Sequence, residues 1–92
     1  MAKMTEETRI KDEIKSFLDA TGWFHFHILQ RRYAYKGISD IIAIRDGQVA
    51  FIEVKSKKGK LSPEQIKFQA DVTASGGLYI VARSYVDVES AV

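Results

Sequence analysis

The sequence predicts an α/β fold whose elements follow the order α-β-β-β-α-β. Three observations support this prediction: helical spacing of apolar residues near the N-terminus, two apolar runs joined by a tight turn, and a capped second helix followed by a short apolar strand. The chain has 92 residues, the size of one small domain, and shows no repeat or linker. We therefore expect residues 1–92 to form a single domain with its functional site on a surface or in a groove.

The first helix is predicted from Thr5, its N-cap, to about Ala20. Apolar residues recur there at helical spacing, at Ile10, Ile14, Phe17 and Leu18. Glu7 falls on the same stripe and is our candidate acid from this helix, with Glu6 as its competitor. The helix dipole favours a glutamate at this end without any further function, so the structural interpretation stays open.

A first strand is predicted from Trp23 to Gln30, where large apolar residues alternate across the strand. The alternation places His25 and His27 on one face, which is one arrangement for binding a metal. No third ligand accompanies them in the sequence. Surface or subunit-interface positions are therefore the favoured interpretation of the two histidines.

The next two strands are joined by Asp46-Gly47, the strongest short-range signal for a β-hairpin. If these are the two turn residues, the register places Asp40 directly opposite Glu53. Side chains alternate along a strand, so Asp40, Glu53 and Lys55 then share one face of the sheet. A bulge or a longer turn would offset the two carboxylates by one residue.

Opposed carboxylates with β-carbons roughly 4.5–5.5 Å apart are destabilising unless a cation lies between them. Each charged residue, taken alone, also has a purely structural interpretation. Asp40 could be a turn residue, and Glu53 and Lys55 could be an exposed ion pair on an edge strand. However, residues 49–54 are apolar on both faces, which indicates a central strand covered on both sides. Because Lys55 neutralises only one carboxylate, a divalent metal or a substrate is the natural completion of the site.

A second helix is predicted from a capping box in which Ser62 is the N-cap and Gln65 the third helical residue, and it runs to about Ser75. Gln65 therefore has a complete local explanation, and a functional role for it stands beside that explanation. A short apolar strand follows at residues 78–82. After Tyr85 the pattern does not distinguish between elements, and a last helical turn is one interpretation of it.

Basic residues flank the proposed site on both sides, interleaved on one side with tyrosines. The candidate nucleic-acid contacts are Arg31, Arg32, Tyr33, Tyr35, Lys36, Lys57, Lys58 and Lys60. Such runs are usually solvated loops, but two of them around an acidic site suit a phosphodiester backbone, and the tyrosines suit base stacking. The net charge of +2 permits a polyanionic partner without requiring one.

Several classes of protein are disfavoured by the composition. No cysteine is present, so neither disulfides nor thiolate metal sites are available. Apolar runs are far shorter than the ~20 residues of a membrane span, and the N-terminus shows no secretory signal. We expect a cytoplasmic protein, in the host cytoplasm if viral, that is not secreted. With no glycine-rich phosphate loop, no small-molecule organic cofactor is expected.

Four features, in this order and spacing, resemble the VRR-NUC branch of the PD-(D/E)XK nuclease superfamily: Glu7, Gly37-x-x-Asp40, Glu53-Val54-Lys55 and Ser62-Pro63-Glu64-Gln65. The resemblance covers the chain from Thr5 to about Ala82. It implies a restriction-endonuclease-like αβββαβ core with a mixed central sheet flanked by helices. It also implies a structure-selective DNA endonuclease that depends on Mg²⁺ or Mn²⁺.

The resemblance also implies a role for each motif residue. Asp40, Glu53 and the carbonyl of Val54 would bind the metal, and Glu7 would line the metal site from the first helix. Lys55 would serve the attacking water. Gln65 would support the site from beside it.

Small stand-alone members of this family look like homodimers that act on branched DNA such as four-way (Holliday) junctions, whereas larger members cut flaps. No appended domain is evident here, which favours the first type and a role in DNA repair. The chain departs from the superfamily pattern in having Ser39 where a proline precedes the aspartate. Two rival interpretations are a non-catalytic nucleic-acid-binding module on the same fold and a flap- or RNA-directed nuclease.

Overall fold

The computed structural model describes residues 4–29 and 34–92. The elements are α1 (Glu6–Ala20), β1 (Phe24–His27), β2 (Ile41–Arg45), β3 (Gln48–Val54), α2 (Pro63–Ala74), β4 (Leu78–Ala82) and α3 (Tyr85–Ala91). The strands form one sheet in the order β1-β2-β3-β4. The first two pairings are antiparallel and the third is parallel, so the predicted fold with its mixed sheet is confirmed.

The β2–β3 hairpin has the predicted two-residue turn. Asp46 and Gly47 both have positive φ angles, 51° and 80°, as a type I′ turn requires. Arg45 pairs with Gln48 and Ile41 with Ile52, which is the register predicted from the sequence. One further step along this register brings Asp40 opposite Glu53.

The two faces of the sheet are covered by different helices. α1 and α3 lie on one face, over a continuous apolar core; its buried members are Ile10, Ile14, Leu18, Trp23, Ile41, Ala43, Ala50, Ile52, Val54, Ile80, Ala82 and Val88. α2 covers the other face, where its Phe68 contacts Phe51 of β3 and Tyr79 of β4 edge-on. β3 is therefore a central strand with both faces covered, as its sequence indicates.

Two elements differ from the sequence-based assignment. β1 ends at His27 rather than Gln30, which lies outside the described residues, because it pairs only with residues 41–44 of β2. The alternating Phe24 and Phe26 are exposed on this edge strand. At the other end of the chain, a complete helix, α3, replaces the suggested single turn. None of the helices in the described part of the chain is long and apolar enough to cross a membrane.

Candidate active site

Asp40 lies at the open end of the β2–β3 hairpin. It accepts hydrogen bonds from the main chain at the end of β3 and directly after β1. Its Oδ2 accepts a hydrogen bond from the backbone N–H of Val54 at 2.8 Å. Its carbonyl oxygen accepts from the backbone N–H of Ile28, also at 2.8 Å. The carboxylate is thus held at the edge of the sheet, one residue before β2 begins.

Glu53 lies across from Asp40 in β3 and is only 3 % exposed. Its Oε2 accepts from Nε2 of Gln65 at 3.2 Å and lies 3.7 Å from Nζ of Lys55. Its Oε1 is buried without a hydrogen-bond partner among the described residues. Burial, followed by the negative charge of Asp40, raises the pKa of Glu53 to about 8, although Lys55 opposes the shift. A cation bound between the two acids would favour the ionised form of Glu53.

Gln65 both completes the capping box of α2 and contacts the site, the two roles considered for it from the sequence. Its Oε1 accepts from the backbone N–H of Ser62 at 2.8 Å, which completes the capping box of α2. Its Nε2 donates to Glu53 from the other end of the same amide. The capping box thereby aims one N–H group at the carboxyl, and α2 is coupled to the site.

The glycine of the Gly37-x-x-Asp40 motif brings the loop before β2 against the start of α2. Gly37 has a φ of +82°, and an added Cβ would collide with the carbonyl oxygen of Glu64 and lie 2.9 Å from the backbone nitrogen of Gln65. Only glycine meets both requirements at low cost. Ser39 lies in the same loop, at the position before Asp40 where the superfamily pattern has a proline. Its buried hydroxyl donates a hydrogen bond to the Ile41 carbonyl at 3.3 Å.

The residue of α1 that reaches Asp40 is Lys11, whose Nζ lies 3.6 Å from Oδ1. Glu7 is half-buried one turn earlier on the same helical face. Within residues 4–29 and 34–92, no three histidine, aspartate or glutamate side chains form a group able to hold a metal. The role of Glu7 at the metal site therefore stays a prediction, and Lys11 is a site residue that the sequence reasoning missed.

An open groove of about 350 Å³ runs past the two carboxylates. It is lined by Lys36, Gly37, Ile38, Asp40, Glu53, Ser62, Glu64 and Gln65. A larger and mainly apolar cavity of about 540 Å³ lies against α1 and Tyr85. We regard the smaller groove as the candidate active site, because it brings both carboxylates and a lysine to one solvent-accessible surface.

The predicted nucleic-acid contacts lie in two segments. Arg31, Arg32 and Tyr33 lie outside the described residues. Lys36 lines the groove, and the exposed ring of Tyr35 contacts Phe68 of α2 at 5.8 Å between ring centroids. Lys57, Lys58 and Lys60 are exposed in the loop that follows β3.

Arg83, which the sequence reasoning also missed, fastens this basic loop to β4. Its Nη1 donates to the carbonyls of Ser56, Lys57 and Gly59, the last at 2.8 Å. Because a guanidinium has no acceptor, it suits a cluster of backbone carbonyls. Its partners lie more than twenty residues away in sequence, so no local pattern announces it.

The histidines of β1 belong to no group of three or more possible metal ligands among the described residues. Nε2 of His25 lies 2.6 Å from Oδ1 of Asp19 at the end of α1. Partial burial, together with the charges of Lys15 and Lys11, lowers the pKa of His27. These contacts agree with the structural interpretation favoured from the sequence.

Comparisons with known proteins identify the fold and the family. A solved structure described as a VRR-NUC domain superposes with a TM-score of 0.81 at 22 % identity, over 95 % of this chain and 94 % of the other, and shows the shared fold. No curated protein matches the chain in sequence. The family model for the VRR-NUC domain matches residues 5–85. The chain therefore belongs to the VRR-NUC family, whose domains are generally nucleases.

Proposed function

We propose that this protein is an Mg²⁺- or Mn²⁺-dependent endonuclease that hydrolyses DNA phosphodiester bonds. The observation that carries the proposal is the opposed pair of Asp40 and Glu53 beside an open groove, with Oε1 of Glu53 buried and without a hydrogen-bond partner among the described residues. Two such carboxylates weaken a fold that needs no cation, since apolar residues in their place would be more stable. A non-catalytic binding module would therefore gain stability if apolar residues replaced the two carboxylates.

The residues present fit a divalent metal of this kind. Carboxylate oxygens and backbone carbonyls are the ligands that Mg²⁺ and Mn²⁺ prefer, and Mg²⁺ is commonly held by one or two carboxylates, with water and substrate phosphate completing its shell. Asp40, Glu53 and the carbonyl of Val54 would hold the ion, with Glu7 as the further candidate. A bound cation supplies positive charge to the scissile phosphate.

The protein groups around the metal site have separate tasks. The N–H of Val54 fixes the Asp40 carboxylate, and Gln65 fixes Glu53, so both acids are oriented before substrate arrives. Nζ of Lys55, the residue directly after β3, lies 3.7 Å from Oε2 of Glu53 and is placed to orient the attacking water or to offset the charge that develops on phosphate.

Branched DNA, such as a four-way junction, is the substrate class we propose. Lys36, which lines the groove, and the exposed Lys57, Lys58 and Lys60 of the loop after β3 suit contacts with phosphates. Cleavage of a four-way junction needs two symmetric cuts, which a C₂ homodimer supplies. Light scattering at the assay concentration tests the dimer, and a monomeric mass would contradict it.

The function is tested with one panel of labelled substrates: duplex, single strand, flap, splayed arm, four-way junction and RNA. Each is incubated with the protein in Mg²⁺, in Mn²⁺ and in EDTA. We expect cleavage that requires the metal and is strongest on branched DNA. Cleavage of RNA or flaps alone would redirect the substrate assignment, and binding without cleavage in either metal would support the rival binding module.

Asp40→Asn, Glu53→Gln and Lys55→Ala should each abolish cleavage while the protein stays folded. The matched control is Asp46→Asn, which removes the same charge from the exposed turn of the same hairpin and should cut like the parent protein. A purified Asp40→Asn protein that cuts at a near-normal rate in Mg²⁺ would disprove the assignment.

A further inference from the structure

Lys11 stands in the same relation to Asp40 as Lys55 does to Glu53. The two Nζ–carboxylate distances are 3.6 Å and 3.7 Å, and both lysine side chains are mostly buried, with exposed fractions of 24 % and 15 %. One lysine comes from α1 and the other from the position directly after β3. Each carboxylate therefore faces its own ammonium group.

Holding Asp40 in place does not account for Lys11. The Asp40 carboxylate already accepts the short hydrogen bond from Val54, and its backbone is bonded to Ile28. The contact with Lys11 is longer than a hydrogen bond and lies on the other oxygen, Oδ1. Lys11 is thus a charge beside Asp40 rather than its anchor.

A cation at this position also opposes the binding of a second cation by Asp40. A site meant only to retain a metal would do better without Lys11, since like charges a few ångströms apart repel. The repulsion is relieved when an anion lies between the two cations. A phosphodiester is the anion that a nucleic-acid substrate brings, and lysine binds phosphate as a compact point charge.

We propose that Lys11 is a substrate-binding residue whose ammonium group leaves Asp40 and contacts a backbone phosphate beside the metal site. This inference rests on the proposed nuclease function and extends it to α1, from which only an acid was expected. If Lys11 has this role, its removal should lower the affinity for DNA measured in the presence of a divalent metal. The affinity of the protein for the metal alone should be unchanged or higher without Lys11.

The test compares Lys11→Met, which keeps the methylene stem, with Lys11→Arg, which keeps the charge. Lys15→Met, one turn further along α1, is the matched control. Three quantities are measured: Mn²⁺ affinity without DNA by titration calorimetry, affinity for a labelled four-way junction by anisotropy in Ca²⁺ and in EDTA, and cleavage in Mg²⁺. Thermal unfolding confirms that each variant is folded.

Lys11→Met should bind Mn²⁺ at least as tightly as the parent, bind the junction in Ca²⁺ about tenfold to a hundredfold more weakly, and cut correspondingly less. Lys11→Arg should recover part of the loss, and Lys15→Met should behave like the parent. Weaker Mn²⁺ binding by Lys11→Met would show that Lys11 only positions Asp40, and unchanged junction affinity would also overturn the proposal. If the parent cuts nothing but Lys11→Met still loses junction affinity in Ca²⁺, the nuclease function fails and the phosphate contact stands.

Discussion

The two ends of the β2–β3 hairpin obey different constraints. At the turn end, Asp46 and Gly47 are exposed, and their positive φ angles alone close the hairpin. An added Cβ at Gly47 would meet no atom within 4 Å. Local backbone chemistry is therefore sufficient to explain this end.

At the open end, Asp40 and Glu53 depend on partners from elsewhere in the chain. Lys11 of α1 and Gln65 of α2 supply side chains, and the tight contact at Gly37 sets the loop against α2. The turn fixes the register, and that register forces two carboxylates together where stability alone disfavours them. The tight turn at one end thus holds Asp40 and Glu53 together at the other end, although their proximity destabilises the fold. Such locally unfavourable arrangements are typical of functional sites.

The glycines at the two ends provide the largest expected contrast. Gly37→Ala combines a positive φ with a collision against the backbone of α2 and should destabilise the protein by about 3–5 kcal/mol. Gly47→Ala meets only the backbone penalty, about 1–2 kcal/mol. Urea unfolding of both variants measures the difference in free energy.

Equal losses for the two glycine variants would contradict the contrast, because they would mean that the Gly37 loop yields without cost. Cleavage adds a second readout. Gly47→Ala should cut normally when folded, whereas Gly37→Ala should lose activity even at temperatures where it is folded, since the loop that packs against α2 at Gly37 leads directly to Asp40.

Most of the fold could be predicted because its signals are local. The type I′ turn at Asp46-Gly47 set the hairpin register, and the capping box at Ser62 set the start of α2. That register alone makes Asp40 and Glu53 candidate site residues, without any tertiary contact. These elements depend on residues that are close in sequence, where geometry and side-chain chemistry restrict the choices.

The parts that could not be predicted depend on tertiary packing. Lys11 differs from Lys15, the other lysine of α1, in lying opposite Asp40, and Arg83 binds carbonyls in a distant loop. Tyr79, whose hydroxyl is buried without a partner among the described residues, has a raised pKa because of burial and then the charge of Glu53. α3 docks through Val88, within a tail that shows no clear periodicity.

The buried carboxyl at the open end should make the metal-free protein less stable as pH rises. The pKa of Glu53 is raised from 4.5 to about 8 in the folded state. The bound proton therefore contributes its full stabilisation below pH 4.5, and this contribution is lost as the pH rises to about 8. Between them, unfolding in EDTA should become easier by at most about 1.4 kcal/mol per pH unit from this group. Denaturant unfolding across this pH range measures the slope.

Glu53→Gln removes the titrating group and should flatten the slope, leaving the variant more stable than the parent at alkaline pH in EDTA. Asp46→Asn removes a carboxylate from the exposed turn and controls for the change in net charge. A parent protein whose stability is constant or rises between these pH values would contradict the account of Glu53.

The smallest expected effect separates the two contacts of Gln65. Ser62→Ala removes the N-cap oxygen but leaves the Gln65 amide, and it should cost about 1 kcal/mol of stability. Gln65→Glu keeps an acceptor for the Ser62 N–H, as in the usual capping box, but replaces the N–H donor to Glu53 with a third carboxylate.

If Gln65 acts on the site directly, Gln65→Glu should lose more cleavage activity than Ser62→Ala, even where both lose similar stability. The reason is that the capping box can survive the change while the orientation of Glu53 cannot. Cleavage rates in Mg²⁺ and urea unfolding of both variants decide the matter. Equal losses of activity would mean that Gln65 serves Glu53 only through the helix start, and that Lys11 and the Gly37 loop are the direct tertiary contacts of the open end.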